Sequence, residues 1–191
     1  MTTTKSNKSP QLERAEKFLA SLHKRIDKDT GAKADLKRAL SGEERHIRNT
    51  YSLVLPYLGD VQEWQQDVWI LIAALSAYYP QEIRAEQRNF GASCRGLGIS
   101  NDSGGADRRF RALLDTSLTD IRSPLTNLVR QMKSKGIRVD YSQLLVDLLQ
   151  WEHPSQYINI QDKWARSFWG AVSLDPEPTP SPSSEGSKSG I

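Results

Sequence analysis

The stretch CRGLGISNDSGGADRRFRALLDTSLTDIRSPLTNLVRQMKSK, residues 94–135, decides how the chain is organised. Its first part, residues 96–105, is rich in Gly, Ser and Asn, and such a composition ends any helix that precedes it. A short helix is predicted to open near Ala106. Phe110, Leu113 and Leu114 then recur at helical spacing, so they share one face, which should be buried.

A second helix is predicted directly after the first. Thr119 or Asp120 is its expected N-cap, and Lys135 is its expected end. Its apolar residues also fall on one face: Ile121, Leu125, Leu128, Val129 and Met132. The stretch therefore predicts two short amphipathic helices behind a glycine-rich loop.

Both helices carry cations away from their apolar faces. The first has Arg108, Arg109 and Arg111. Between residues 121 and 139 the chain has no acidic residue and five basic ones: Arg122, Arg130, Lys133, Lys135 and Arg138. Helices that bury one face and present arginine on another are what a surface for backbone phosphates requires. Ordinary solvated helix faces give the same pattern, so both interpretations stay open at this point.

The whole chain predicts an all-α fold of eight to nine helices in two small helical bundles. Val, Ile and Thr never alternate over five residues, so no strand is expected. A helix over residues 61–79 is apolar almost all round and should be central. The glycine-rich loop is the expected seam. The predicted parts are a disordered N-terminus (1–9), an N-terminal bundle (10–100), a C-terminal bundle (101–174) and a disordered Pro/Ser-rich tail (175–191).

Local signals predict the individual helix ends. Ser9 before Pro10 indicates an N-cap followed by the first helical residue. Pro56 lies late in a helix expected from residue 43 onwards and should kink or end it. Gly136 is a natural C-cap, and Asp140 should cap the helix that follows. Two further helices are expected over 83–95 and over 162–172.

Composition excludes several classes of protein. The chain has 191 residues, of which 37% are hydrophobic and 26% charged, with a formal net charge of +3. Its isoelectric point of about 9.0 is a mild basic bias that does not by itself imply a polyanionic partner. Cys94 is the single cysteine, so an intrachain disulfide is impossible. No apolar run approaches about 18 residues, so a membrane span is not expected. The polar first ten residues do not resemble a secretory signal, and a cytoplasmic location is expected.

No constellation of reactive groups indicates catalysis. His23, His46 and His153 are not spaced as metal ligands, and no metal or other cofactor is expected. Cys94 is predicted to be a core residue and not a nucleophile. All five tryptophans fall in apolar helical stripes and are predicted to be core residues: Trp64, Trp69, Trp151, Trp164 and Trp169. An absence of exposed aromatic side chains leaves recognition of phosphates by charge, which is blind to sequence.

Four stretches match a known family in order along the chain: RALSGEERHIRNTYSLVLPYL, SCRGLGIS, ADRRFRALLDT and VRQMKSKGIRVDYSQLLVDLLQWEHPSQYINIQDKWARSFW. They are similar to CasB, the small subunit of the type I-E Cascade complex. The likeness spans about residues 12–170 and rests on pattern, since none of the four is a catalytic motif. It does not include the proline-rich tail.

The resemblance implies an all-α protein without catalytic activity. It implies two copies that lie head to tail in a CRISPR surveillance complex, in contact with other Cascade subunits, guide RNA and target DNA. Basic residues on one face would hold nucleic acid. Together with the arginines of the first helix above, this gives the candidate binding residues: Lys37, Arg38, Arg108, Arg109, Arg111, Arg130 and Lys133.

This chain departs from the family pattern at two places where basic residues are common. Leu118 follows the ALLD stretch, and Glu63 precedes the central hydrophobic helix. These departures weaken the inference that every family contact is kept. The alternative function is an all-α assembly module that docks other proteins without touching nucleic acid. An enzyme is a third possibility, with Cys94 alone to support it.

Overall fold

The computed structural model describes residues 9–59, 61–83, 88–98, 105–152 and 159–170, and within them all regular structure is helical. The predicted all-α class is therefore confirmed. The helices are α1 (Pro10–Ile26), α2 (Thr30–Arg38), α3 (Glu44–Asn49), α4 (Tyr51–Val54), α5 (Glu63–Tyr78), α6 (Phe90–Arg95), α7 (Gly105–Leu114), α8 (Arg122–Ser134), α9 (Tyr141–Leu148) and α10 (Ile160–Trp169). Two 3₁₀ turns follow α2 and α4, at Ala39–Ser41 and Leu55–Tyr57. Only Thr50 separates α3 from α4. If these two segments are counted as one interrupted helix, the described ranges contain nine helices.

Two predicted helix starts are confirmed by their caps. The hydroxyl of Ser9 accepts from the backbone N–H of Leu12, and Pro10 is the first residue of α1. The carboxylate of Asp140 accepts from the N–H of Gln143 at 3.0 Å and starts α9. After α8 the chain reverses at Gly136, whose φ of 66° lies in the left-handed region that favours glycine.

Three predicted helix boundaries were wrong. α8 starts at Arg122, because Asp120 lies in a turn in which its carboxylate accepts from the hydroxyl of Ser117 instead of capping the helix. The expected helix from residue 43 onwards has a break at Thr50 that was not predicted, whereas its end in a 3₁₀ turn around Pro56 agrees with the prediction. The helix expected over 83–95 begins only at Phe90, which follows its Asn89 cap; residues 84–87 lie outside the described residues.

α5 is the centre of the fold, as the sequence predicted. Every residue from 68 to 77 is buried, and α1, α2, α8 and α9 all contact this helix. Phe18 of α1 packs edge-on against Trp69 of α5, with ring centroids 4.9 Å apart. Burial of this much apolar surface on one helix is the main source of the stability of the fold.

α10 packs against α6, and α6 and α7 contact α8. Gly91 of α6 permits the closest approach, since a Cβ atom at that position would lie 2.1 Å from the carbonyl oxygen of Trp164. The buried apolar residues of both halves of the chain form one cluster. The division at the glycine-rich loop stays a prediction, and residues 99–104 of that loop lie outside the described residues. So do residues 1–8 and 171–191, which include the predicted disordered tail and all of the predicted disordered N-terminus except Ser9.

Candidate nucleic-acid interface

α7 presents its arginines as the sequence predicted, because its apolar face is fixed in the core. Phe110 and Leu113 are fully buried. Arg108 is exposed and has no hydrogen bond or ion pair to another described residue. At 100° per residue it projects almost directly away from Phe110, so its guanidinium is available to solvent anions.

Arg109 connects α7 to α8. Its Nη1 donates to Oε1 of Gln131 at 3.3 Å. The same guanidinium lies over Gly105, where an added Cβ atom would be 3.0 Å from Nη1. Arg109 is therefore held between the first turn of α7 and the last turn of α8, and it remains exposed.

α8 continues the same basic surface. Arg130 is exposed and makes no hydrogen bond or ion pair with the part of the chain that is described. Lys133, one turn further on, donates from Nζ to the carbonyl oxygen of Tyr78 at 3.0 Å, and its Nζ lies 4.1 Å from the centre of the Tyr78 ring. Both contacts are to neutral groups, so neither of them offsets the positive charge of the lysine.

Four of the seven candidates lie on α7 and α8, which pack against each other. Gln131, adjacent to Arg130, contacts Arg109 on one flank of α8, while Lys133 contacts α5 on the other. We call this group the α7/α8 basic face and define it as Arg108, Arg109, Arg130 and Lys133. None of the four has an acidic partner among the described residues.

Arg111 is arranged differently. It projects from the flank of α7 that faces α10, where its Nε donates to Asp107 at 2.8 Å and its guanidinium lies 4.8 Å from the centre of the Trp169 ring. Hydrogen bonds from Arg111 and from the Trp169 indole lower the pKa of Asp107. The carboxylate therefore stays charged and offsets much of the field of Arg111.

Lys37 and Arg38 lie near the opposite end of α8. Both are exposed on α2, and Arg38 forms an ion pair with Asp35 at 3.0 Å. The residue after Arg38 is Ala39, whose carbonyl oxygen accepts from Nη1 of Arg122 at the start of α8. From Arg122 to Lys133 the helix rises about 16 Å, so this pair is separated from the α7/α8 basic face by that length of helix.

Arg122 was not among the candidates, although the acid-free run contains it. It is half-buried, and desolvation lowers its pKa, an effect opposed by the nearby charge of Asp67. Lys135 is also anchored to the backbone, since its Nζ donates to the carbonyl oxygen of Leu97 at 2.8 Å. No sequence signal separates these anchored cations from Arg108 and Arg130, because the difference depends on which backbone carbonyls lie nearby.

The core assignment of Cys94 is confirmed. Its side chain is fully buried, and burial raises the pKa of the thiol well above its usual range. His23 is half-buried, and desolvation lowers its pKa. His46 lies 3.7 Å from a carboxylate oxygen of Glu43, and His153 is outside the described residues. In the described ranges no three metal-ligating side chains come together.

The prediction for the tryptophans was right in part. Trp69, Trp151 and Trp164 are buried, and Trp169 is half-buried against Arg111. Trp64 is 43% exposed, so its assignment to the core was wrong. It lies in the first turn of α5, where the helix has not yet entered the core, and periodicity alone does not reveal how far a helix extends beyond its neighbours.

No helix in the described part of the chain has both the length and the hydropathy needed to cross a bilayer.

Comparison with known proteins then gives consistent results. The CRISPR-associated protein Cse2 of Thermus thermophilus is 28% identical over 153 residues, which cover 78% of this chain and 84% of that protein. The crystal structure of CasB from Thermus thermophilus superposes with a TM-score of 0.69 at 27% identity, covering 86% of this chain and all of the other.

A chain of a solved CRISPR RNA-guided surveillance complex superposes with a TM-score of 0.68, covering 83% of this chain and 92% of that one. At 23% identity this second likeness shows a shared fold and no more. Residues 32–169 match the family described as CRISPR-associated protein Cse2, a span that includes all helices from α5 to α10 and the whole α7/α8 basic face. This chain belongs to the CRISPR-associated protein Cse2 family.

Proposed function

We propose that this protein is a non-catalytic small subunit of a type I-E CRISPR Cascade complex and binds the backbone of nucleic acid through its basic residues. Guide RNA, target DNA and the displaced strand are the proposed polyanions. Pairing with the guide would supply sequence specificity, and the protein would stabilise the complex and the opened target electrostatically. The proposed setting is the cytoplasm, with other Cascade subunits and a second copy of this chain as partners.

The α7/α8 basic face is the observation that carries the proposal. Two of its cations, Arg108 and Arg130, make no hydrogen bond or ion pair with another described residue, and two more, Arg109 and Lys133, are held by neutral oxygens. None of the four is neutralised by an acidic partner among the described residues. Arg109 and Lys133 are also oriented before binding, which reduces the entropic cost of meeting a phosphate.

The remaining candidates contribute less in this proposal. Arg38 and Arg111 each have an acidic neighbour on their own helix. Lys37 has no described partner, and with Arg38 it would extend the binding surface to the far end of α8. A polyanion that followed α8 would meet both groups in turn.

Family membership and fold support the assembly. A CRISPR RNA-guided surveillance complex contains a chain of the same fold. The proposal includes no catalytic step. In support of this, the buried Cys94 has no access to a substrate, and its raised pKa keeps it a thiol and not a thiolate nucleophile.

The proposal is tested with the assembled complex and with the free chain. Arg108→Glu combined with Arg109→Glu is expected to weaken target DNA binding by the complex at least about tenfold, because two favourable phosphate contacts become repulsive. Lys17→Glu is a matched control, since Lys17 is an exposed cation of α1 outside the candidate surface. Binding is measured by electrophoretic mobility shift over a series of salt concentrations.

Two results together would contradict the proposal. They are an unchanged affinity of the double variant complex and no detectable binding of DNA by the free wild-type chain at low salt. The protein would then be an assembly module without nucleic-acid contact.

A further inference from the structure

An apolar groove lies at the end of α8 away from the α7/α8 basic face. Its volume is about 500 Å³, within the range of sites that bind a ligand or a partner's side chain. Val68, Leu71 and Ile121 form its buried floor. Its walls are half-exposed apolar side chains of different segments, Ile47, Leu118 and Leu149. We call it the Trp64 groove after the indole at its edge.

Trp64 is the most exposed large apolar side chain in the described residues, at 43%. Its Nε1 donates to Oε1 of Gln62 at 2.7 Å, so the ring is held in place and does not turn into the core. An ordered, solvent-exposed tryptophan beside an apolar cavity has the composition of an interaction hot spot. Left uncovered, it would expose apolar surface to water with no compensating contact.

The rim of the groove is acidic, in contrast to a chain of net charge +3. Asp67 and Glu152 line it and are both exposed. Oε1 of Glu152 accepts from the backbone N–H of Leu118 at 2.6 Å, which fixes this carboxylate at the rim. Glu63 and Asp120 are exposed neighbours in sequence of lining residues, and they add two further negative charges.

Arg122 is the only cation among the described lining residues. Its Nη1 donates to the carbonyl oxygen of Ala39, and its positive charge interacts with the negative charge of Asp67, so it offsets this one carboxylate in part. Glu152, Glu63 and Asp120 have no cationic partner among the described residues, so the rim stays acidic. Acidic residues of this kind repel a phosphate backbone. Leu118 lines this region and Glu63 adjoins it in the sequence, so one adds apolar surface and the other adds negative charge.

From this geometry we infer that the Trp64 groove docks a protein segment that carries a bulky apolar side chain flanked by lysine or arginine. The apolar side chain enters the cavity against Trp64 and Leu118. The flanking cations pair with Asp67 and Glu152. The inference does not depend on nucleic-acid binding, because it concerns the other end of α8 and charge of opposite sign.

The test uses the full chain and three fluorescein-labelled synthetic peptides. The first has a Leu-Phe centre flanked by lysines, the second has glutamates in place of the lysines, and the third has serines in place of Leu-Phe. Fluorescence anisotropy is expected to show saturable binding of the first peptide. At least about tenfold weaker binding is expected for each of the other two, since one lacks the charge complementarity and the other lacks the anchor.

Two variants place the binding in the groove. Trp64→Ala is expected to weaken binding of the lysine peptide at least about tenfold. Tyr51→Ala is the matched control, because Tyr51 is the other exposed large apolar residue, at 39%, and does not line the groove. Asp67→Lys, an exposed substitution that preserves the cavity, is expected to shift the preference towards the glutamate peptide.

Several results would overturn the inference. One is that the lysine peptide shows no saturable binding, and another is that wild type and Trp64→Ala bind it equally well. A third such result is that single-stranded DNA binds the wild type at this groove, displaces the peptide, and no longer binds after Trp64→Ala. A self-association that Trp64→Ala removes in sedimentation experiments would assign the groove to a second copy of the chain. Tenfold stronger peptide binding after deletion of residues 1–8 would assign it to the chain's own N-terminus.

Discussion

Trp164 donates its indole N–H to the buried carboxylate of Asp147 across 2.6 Å, and this bond connects α10 to α9 inside the core. Asp147 is only 4% exposed, and its other carboxylate oxygen accepts from Nε2 of Gln143 at 2.8 Å. The buried carboxylate and its two donors form a polar network within a mostly apolar core. It should fix the position of α10, because any shift would leave a buried polar group unpaired.

Asp147→Ala should destabilise the fold by about 2–4 kcal/mol, since it leaves the Trp164 N–H without an acceptor and opens a small cavity. Urea unfolding followed by circular dichroism measures the loss. Asp115→Ala, at an exposed position in the turn after α7, serves as the control and should stay within about 0.5 kcal/mol of wild type. Equal stability of the Asp147→Ala protein would show that the network is not structural.

The same carboxyl group should make stability depend on pH. Burial raises the pKa of Asp147, an effect that the hydrogen bonds from Trp164 and Gln143 reduce. The folded state therefore holds the proton more tightly than the unfolded state, whose aspartate has a pKa of about 3.9. The stabilising contribution is fully present below that value and is lost as pH rises through the raised pKa of the folded state.

Asp147→Asn isolates this contribution, because the amide still accepts from Trp164 but does not titrate. The free energy of unfolding of the wild type, minus that of Asp147→Asn, should fall as pH is raised from about 4 to about 7. Urea titrations of both proteins in a pH series measure it. A difference that rises with pH would mean that the charged carboxylate is the form preferred by the fold.

Gly91→Ala should be among the most destabilising single substitutions in the chain. Its Cβ would lie 2.1 Å from the carbonyl oxygen and 2.7 Å from the Cα atom of Trp164, so two helix backbones would have to separate. We expect a loss of about 3 kcal/mol or more. Gly31→Ala in α2 is the control, because there the nearest atom is a side-chain oxygen of Asp29 at 3.3 Å. Thermal melts of both variants decide the comparison.

Arg108 and Arg111 should contribute unequally to DNA binding, although they are three residues apart on one helix. Affinity for DNA falls as salt concentration rises, and Arg108→Ala should make this dependence less steep. The magnitude of the slope of log affinity against log salt concentration should fall by about 0.9, the value for one lost phosphate contact on duplex DNA. Arg111→Ala should lower it less, because Asp107 already offsets that charge. Equal slopes for the two variants would show that the Arg111–Asp107 pair opens on binding.

Cys94 should report on unfolding of the core. Its side chain is fully buried between α6 and the rest of the cluster, and its raised pKa disfavours the reactive thiolate. A thiol reagent such as DTNB should therefore label Cys94 of the native protein only as fast as the core opens to expose it. The unfolded protein in denaturant should be labelled at once. Rapid labelling of the native chain would place the thiol at the surface instead.

The α-helical class, the central position of α5 and the burial of Phe110, Leu113 and Met132 could all be predicted from the sequence. These features depend on the spacing of apolar residues, and a helix with one apolar stripe has one way to bury it. Several caps were equally predictable, because Ser9 and Asp140 act on backbone groups only three residues away. The resemblance to CasB agreed with the family found by comparison.

Long-range contacts could not be predicted in the same way. Trp64 and Trp69 lie five residues apart in one helix, yet one is exposed and the other is buried, because only the second reaches the layer formed by α1. Likewise, Arg108, Arg122 and Arg130 look equivalent in the sequence, but only Arg122 meets the carbonyl oxygen of Ala39.

The sequence by itself determined which residues form helices and which face of each helix turns inward, since both follow from interactions within a few residues. Only the tertiary structure decided which cations stay unpaired on the α7/α8 basic face and which apolar walls meet in the Trp64 groove. Those outcomes depend on how helices distant in the chain pack together, and packing brings together atoms whose separation in sequence carries no local signal.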